Sequence, residues 1–129
     1  MNAMTIGQLA RAAGAHVETI RYYQRCGLMA VPPRNAGRVR RYPEDAVGRL
    51  RFIRRAQEVG FSLAEVQQLL HLDRNPGCRG ARSMASQKLA SVEQRIGDLR
   101  RMRTSLKNLI VQCDAGAGQS CPIIESFRR

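Results

Sequence analysis

The stretch TIGQLARAAGAHVETIRYYQRCGL, residues 5–28, decides the fold. It opens with Thr5 at an N-cap position and Gln8 three residues later. That is the spacing of a capping box, in which each side chain satisfies a backbone N–H at the helix start. Met4 and Leu9 stand where a hydrophobic staple would place them. Ile6, Leu9 and Ala13 recur at helical spacing, which predicts a first helix with one apolar face. Gly14 suits the left-handed position that closes it. A second short helix is predicted from about His16 to Arg25, with Val17 and Ile20 inward and Glu18, Thr19, Arg21 and Tyr22 outward. Small Ala10 permits close approach, Gly14 makes the turn and Ile20 anchors the second helix, which together make a helix-turn-helix. Its outward face carries groups able to reach bases and phosphates. Of Tyr22 and Tyr23, one is expected to pack and the other to touch phosphate.

Working outward, Pro32-Pro33 stops the second helix, and Asn35-Ala36-Gly37 reads as a turn between two short extended pieces. Arg38, Arg40 and Arg41 lie on or beside the second piece. A basic hairpin at this place is a wing suited to phosphate contact; a solvated basic loop is the alternative. Pro43 is predicted at the first position of a third helix, with Glu44 and Asp45 in its first turn. Ala46, Leu50, Ile53 and Ala56 form its buried stripe, and Gly60 ends it. Ser62 and Glu65 form a second capping box, stapled by Phe61 and Val66. This completes an N-terminal DNA-binding domain over residues 1–72.

Composition agrees with a polyanion partner. The 129 residues carry a formal net charge of +12. The first sixty hold eleven Arg against four acids, and Arg suits phosphate and guanine better than Lys does. A basic protein with no nucleic-acid partner is the competing reading. No run approaches the ~20 apolar residues of a membrane span, and the N-terminus shows no apolar signal region. A cytoplasmic protein is expected, without a membrane partner and with its four cysteines mostly reduced.

Residues 73–82 read as a hinge loop that carries Cys78, punctuated by Pro76-Gly77. Residues 83–113 hold no Pro and fit one heptad register. Its a positions are Leu89, Ile96, Arg103 and Ile110; its d positions are Ala85, Val92, Leu99, Leu106 and Cys113. Such a helix is expected to pair with its copy in a homodimer; packing back on the N-terminal domain is the alternative. At ~1.5 Å per residue it is about 45 Å long, so Cys78 before its start cannot join Cys113 and Cys121 within one chain. In an antiparallel dimer Cys78 of one subunit lies beside the other two cysteines of its partner. In a parallel dimer it does not, and the residues alone do not choose.

The segments quoted above, with RVRRYPEDAVGRLRFIRRAQEVGFSL (38–63) and CPII (121–124), resemble the MerR family of bacterial metal-responsive transcription regulators. The resemblance covers nearly the whole chain and is greatest to the mercury-responsive branch. It implies a mostly α fold: a winged helix-turn-helix, linking helices, a long antiparallel coiled-coil dimerisation helix and, over residues 114–129, a metal-binding loop with a short C-terminal helix. It implies a regulator, not an enzyme, that represses without metal. On binding Hg(II) the dimer distorts an over-long promoter so that RNA polymerase can start. The implied contacts to double-stranded operator DNA are Glu18, Thr19, Arg21, Tyr22 and Tyr23 from the second helix and Arg38, Arg40 and Arg41 from the wing. The implied mercury ligands are Cys78 of one subunit with Cys113 and Cys121 of the other.

Seven residues separate Cys113 from Cys121, where mercury regulators carry eight. The copper(I) branch carries seven and also CPIIE, but has Ser at the position of Cys78. Three thiolates leave a charge of minus one around a divalent ion and minus two around a monovalent one, and the larger buried charge costs more. All-thiolate ligation selects soft ions, so Cu(I), Cd(II) and Pb(II) stay beside Hg(II) as candidates. A metal-independent DNA-binding protein with incidental cysteines is the reading from another class. The glycines after Cys113 are expected to let the loop donate N–H groups to sulfur, and Ile123, Ile124 and Phe127 to cover the site.

Overall fold

The computed structural model describes residues 3–34, 39–72, 78–116 and 120–129. Six helices follow one another among them: α1 (Ile6–Ala13), α2 (Val17–Arg25), α3 (Asp45–Glu58), α4 (Leu63–Leu72), α5 (Arg79–Ala115) and α6 (Pro122–Arg128). They fall into two units, residues 1–81 and 82–129.

The first capping box forms as the sequence predicts. Gln8 N–H donates to Thr5 Oγ1 at 3.2 Å, and Thr5 N–H donates to Gln8 Oε1 at 2.9 Å. Gly14 closes α1 with φ +66°, where an L side chain would be strained. The second box repeats the device: Glu65 N–H donates to Ser62 Oγ and Ser62 N–H to Glu65 Oε1. Helix α3 starts at Asp45, two residues after Pro43, because the N–H groups of Ala46 and Val47 bond back to Pro43 and Glu44 in a tighter first turn.

The core of the first unit is built by α1, α2, α3 and α4. Leu9, Ile20, Leu28, Leu50, Ile53 and Val66 are fully buried, and Ala10, Tyr23, Met29, Tyr42 and Ala46 complete the cluster. Each large apolar side chain contributes about 1.5–3 kcal/mol relative to exposure. Met4 and Phe61, the outer halves of the two staples, pack against this cluster.

Only the arms of the expected wing are described. Its turn at 35–37 and Arg38 lie outside the described residues. The described parts of its two arms form no ladder. Tyr42 instead makes an isolated antiparallel bridge with Met4, with backbone hydrogen bonds of 2.7 and 2.9 Å. The arms are tied by a side chain: Arg40 Nε donates to the Pro32 carbonyl at 3.0 Å.

Helix α5 runs beyond the predicted 83–113 at both ends, beginning directly after Cys78. Near its start, Gly80 lets the Leu72 side chain at the end of α4 pack close, since a Cβ there would meet Leu72 Cδ2 at 2.9 Å. None of the residues of α5 is buried in the single chain. Leu89, Val92, Ile96, Leu99, Leu106 and Ile110, all from the predicted heptad positions, are exposed.

Candidate functional site

Helix α2 carries the first set of candidates. Glu18 and Arg21 stand exposed on its surface and pair with each other at 3.1 Å across one turn. Thr19 is half-buried. Tyr22 is 47 % exposed, and the Arg25 guanidinium lies 5.9 Å from its ring centre. Tyr23 does not belong with them. Its ring is buried in the core, and its hydroxyl donates to Gln57 Oε1 at 2.6 Å. Burial pushes that hydroxyl's pKa up, with Arg54 opposing and Tyr22 adding to the rise. The helical period explains the division, since Tyr23 follows Ile20 by three residues on the inward face.

A cleft of about 330 Å³ lies between α2 and the wing, lined by Arg21, Gln24, Arg34, Arg40 and Tyr42 among others. Gln24 Nε2 donates to the Tyr42 hydroxyl at 2.7 Å, which ties α2 to the end of the wing. Arg34 and Gln24 were not picked out from the sequence. Arg34 directly follows Pro32-Pro33, and that position beside the wing was the available signal. Arg41 is exposed on the same arm. The arrangement offers guanidinium groups from two elements to one polyanion, the donor chemistry that phosphate recognition uses.

The second set is sulfur. Cys78 is exposed immediately before α5 in the first unit. Cys113 lies in the last turn of α5, and Cys121 is the N-cap of α6. Both are free and exposed. The 117–119 part of the loop lies outside the described residues, and Gly118 with it. Gly116 N–H bonds back to the Gln112 and Cys113 carbonyls, so it is engaged with the helix end and not with sulfur. The donors to sulfur come from the other side. The N–H groups of Ile124 and Ile123 in the first turn of α6 hold the Cys121 pKa below the usual thiol value. The Cys113 pKa is pushed up, first by partial desolvation and then by the neighbouring Cys121 sulfur and Asp114. The pair is thus one thiol and one sulfur prepared for negative charge, chemistry that suits a soft cation. Among the described residues no group of three Cys, His, Asp or Glu side chains converges on one point. The apolar cover expected over the site is not closed by α6 alone. Ile124 is 49 % and Phe127 69 % exposed, and Phe127 lines a shallow groove with Met102, Leu106 and Leu109 of α5.

Residues 4–72 match the family described as MerR HTH family regulatory protein, and residues 47–109 match the MerR DNA-binding family. The chain belongs to the MerR family. Within it, the chain is 48 % identical to a mercuric resistance operon regulatory protein of Serratia marcescens, over 97 % of this chain and 88 % of that one. The Shigella flexneri protein of the same name is 47 % identical over the same shares. A solved MerR-type structure, the transcription regulator PbrR691 of Ralstonia metallidurans in complex with lead(II), matches with a TM-score of 0.84. It shares 35 % identity over 96 % of this chain and 98 % of that chain. The mostly helical winged helix-turn-helix fold with a long C-terminal helix is therefore that of MerR regulators, which are not enzymes. No helix among the described residues is long and apolar enough to cross a membrane.

Proposed function

We propose that this chain is a mercury-responsive transcriptional regulator of a resistance operon, acting in the cytoplasm as a homodimer on double-stranded operator DNA. The dimer represses the operon without Hg(II) and activates it with the ion bound, by distorting promoter DNA on which RNA polymerase stands. The observation that carries the reading is the paired Cys113 and Cys121 at the end of α5, in a chain 48 % identical over 97 % of its length to a mercuric resistance regulator.

Glu18, Thr19, Arg21 and Tyr22 would face the major groove from α2, with Arg38, Arg40 and Arg41 on the backbone beside it. Tyr23 supports them from the core. Cys113 and Cys121 of one subunit, with Cys78 of the other, would hold Hg(II). The donor set fits, because the two thiols lie near enough to shift each other's pKa and α6 offers N–H groups to one of them. Held there, the ion would link the two subunits through the cysteine sulfurs. Exposed Leu89, Val92, Ile96, Leu99, Leu106 and Ile110 provide the apolar seam that joins the two copies. The lead(II)-complexed relative favours one second reading, a Pb(II) sensor of the same construction.

The test is equilibrium titration of the reduced dimer with Hg(II) and, separately, Pb(II), under a competing thiol. Two ions per dimer in three-sulfur coordination, with Hg(II) held more tightly, is the expected result. Cys78→Ser is expected to abolish Hg(II) induction of a reporter while leaving operator binding intact. Induction that survives the substitution would remove Cys78 from the ligand set.

A further inference from the structure

Three arginines of α3 donate to backbone carbonyls of the helix-turn-helix, although their charge alone would suggest phosphate. Arg51 Nη2 donates to the Ala12 carbonyl at 2.9 Å. Arg54 Nη1 donates to the Ala13 carbonyl at 3.1 Å and also to the Gly14 carbonyl. Arg49 Nε donates to the Leu28 carbonyl at 2.6 Å. Each bond joins residues at least 21 positions apart in the chain. Ala12, Ala13 and Gly14 end α1 and form the turn into α2; Leu28 follows the exit from α2.

These carbonyls belong to places that lack partners of their own. The last carbonyls of a helix have no intrahelical donor and carry its partial negative charge. Guanidinium groups satisfy both needs, and their fixed fork holds an angle that a flexible ammonium does not. Gln57 adds the bond from Tyr23 one turn further along α3. Beneath them Leu50 and Ile53 of α3 are fully buried in the cluster that holds Leu9 and Ile20. The turn of the helix-turn-helix is thus gripped by Arg51 and Arg54, and the exit from α2 by Arg49, on either side of the buried stripe of α3.

We infer that Arg49, Arg51 and Arg54 are positioning residues for DNA recognition: they lock the direction of α2 to α3 through backbone carbonyls and do not contact the DNA. The inference rests on the DNA-binding reading above. It makes α1, α2 and α3 move as one body, so that any displacement of α3 re-aims the side chains of α2.

Lysine substitution separates positioning from charge, because it keeps the charge and removes the fork. The experiment measures operator and scrambled-sequence DNA binding across a salt series for the full-length protein, with Arg51→Lys, Arg54→Lys, and the pair together, alongside Arg54→Gln. Thermal unfolding and circular dichroism report the folded fraction. The Lys pair is expected to stay folded, to bind scrambled DNA with unchanged salt slope, and to lose roughly tenfold in operator affinity. Operator affinity equal to wild type in the folded Lys variants would overturn the inference and leave a stability role. A Gln variant that loses affinity equally on both DNAs, with the salt slope reduced by about two for the two copies in the dimer, would overturn it in favour of a phosphate contact. Should Arg54→Gln fail to fold, the Lys variants still decide. A loss of metal response alone, with the operator-to-scrambled ratio intact in the Lys variants, would count against the positioning role while leaving the regulator reading standing.

Discussion

Arg21 and Cys121 show how much one residue's role depends on its immediate partners. Arg21 is poised by Glu18 at 3.1 Å on an exposed helix face. If it reads a base, Arg21→Ala should weaken operator binding by about 1–3 kcal/mol, measured by fluorescence anisotropy on labelled operator. Unchanged affinity and salt slope would strike it from the contacts. Cys121 and Cys113 are chemically identical in the sequence and different in the fold. The thiolate is the nucleophile, and a lowered pKa populates it at lower pH. Cys121 should therefore be alkylated by iodoacetamide at lower pH than Cys113, read by mass spectrometry across a pH series in the metal-free protein. Equal profiles would mean that the first-turn N–H groups of α6 do not reach the sulfur. Sequence spacing named both cysteines, but the donors at Ile123 and Ile124 only appear once α6 starts at Pro122.

At the scale of elements, local rules were legible and pairing rules were not. Both capping boxes, the Gly14 stop and the inward Ile20 follow from contacts within four residues, so the chain states them openly. How the wing's arms are held is less legible, because those contacts are made with partners outside the arm. Tyr42 finds Met4, and Arg40 finds Pro32. Helix α5 is long and unbroken as its pattern predicts, while its extension to Arg79 and Ala115 lies beyond the heptad signal. Its apolar stripe makes a direct prediction. Leu99 is 61 % exposed in the single chain, and a carboxylate at a d position cannot be buried against a second copy without large cost. Leu99→Glu should therefore yield a folded monomer in analytical ultracentrifugation. A dimer that persists would place the seam elsewhere.

For the whole molecule, the question is how the charge of +12 is used. Eleven arginines precede residue 61, yet Arg49, Arg51 and Arg54 donate to backbone carbonyls of their own chain. Each phosphate neutralised contributes about 0.9 to the slope of log affinity against log salt. Were all eleven on phosphate in both subunits, the slope would approach ~20. A clearly shallower slope is expected in operator titrations of the metal-free dimer. A value near that limit would mean that the carbonyl contacts give way on DNA.

What the residues determined by themselves was the family, the order of elements, the caps, the apolar stripe of α5 and the identity of the three cysteines. These depend on spacing along one helix or on a motif a few residues long, and such information is local. The tertiary structure alone decided which arginines staple α3 to the helix-turn-helix and that Gln57 receives the Tyr23 hydroxyl. Those outcomes come from residues brought together across twenty or more positions of chain, where burial and unpaired carbonyls select partners that no spacing rule announces.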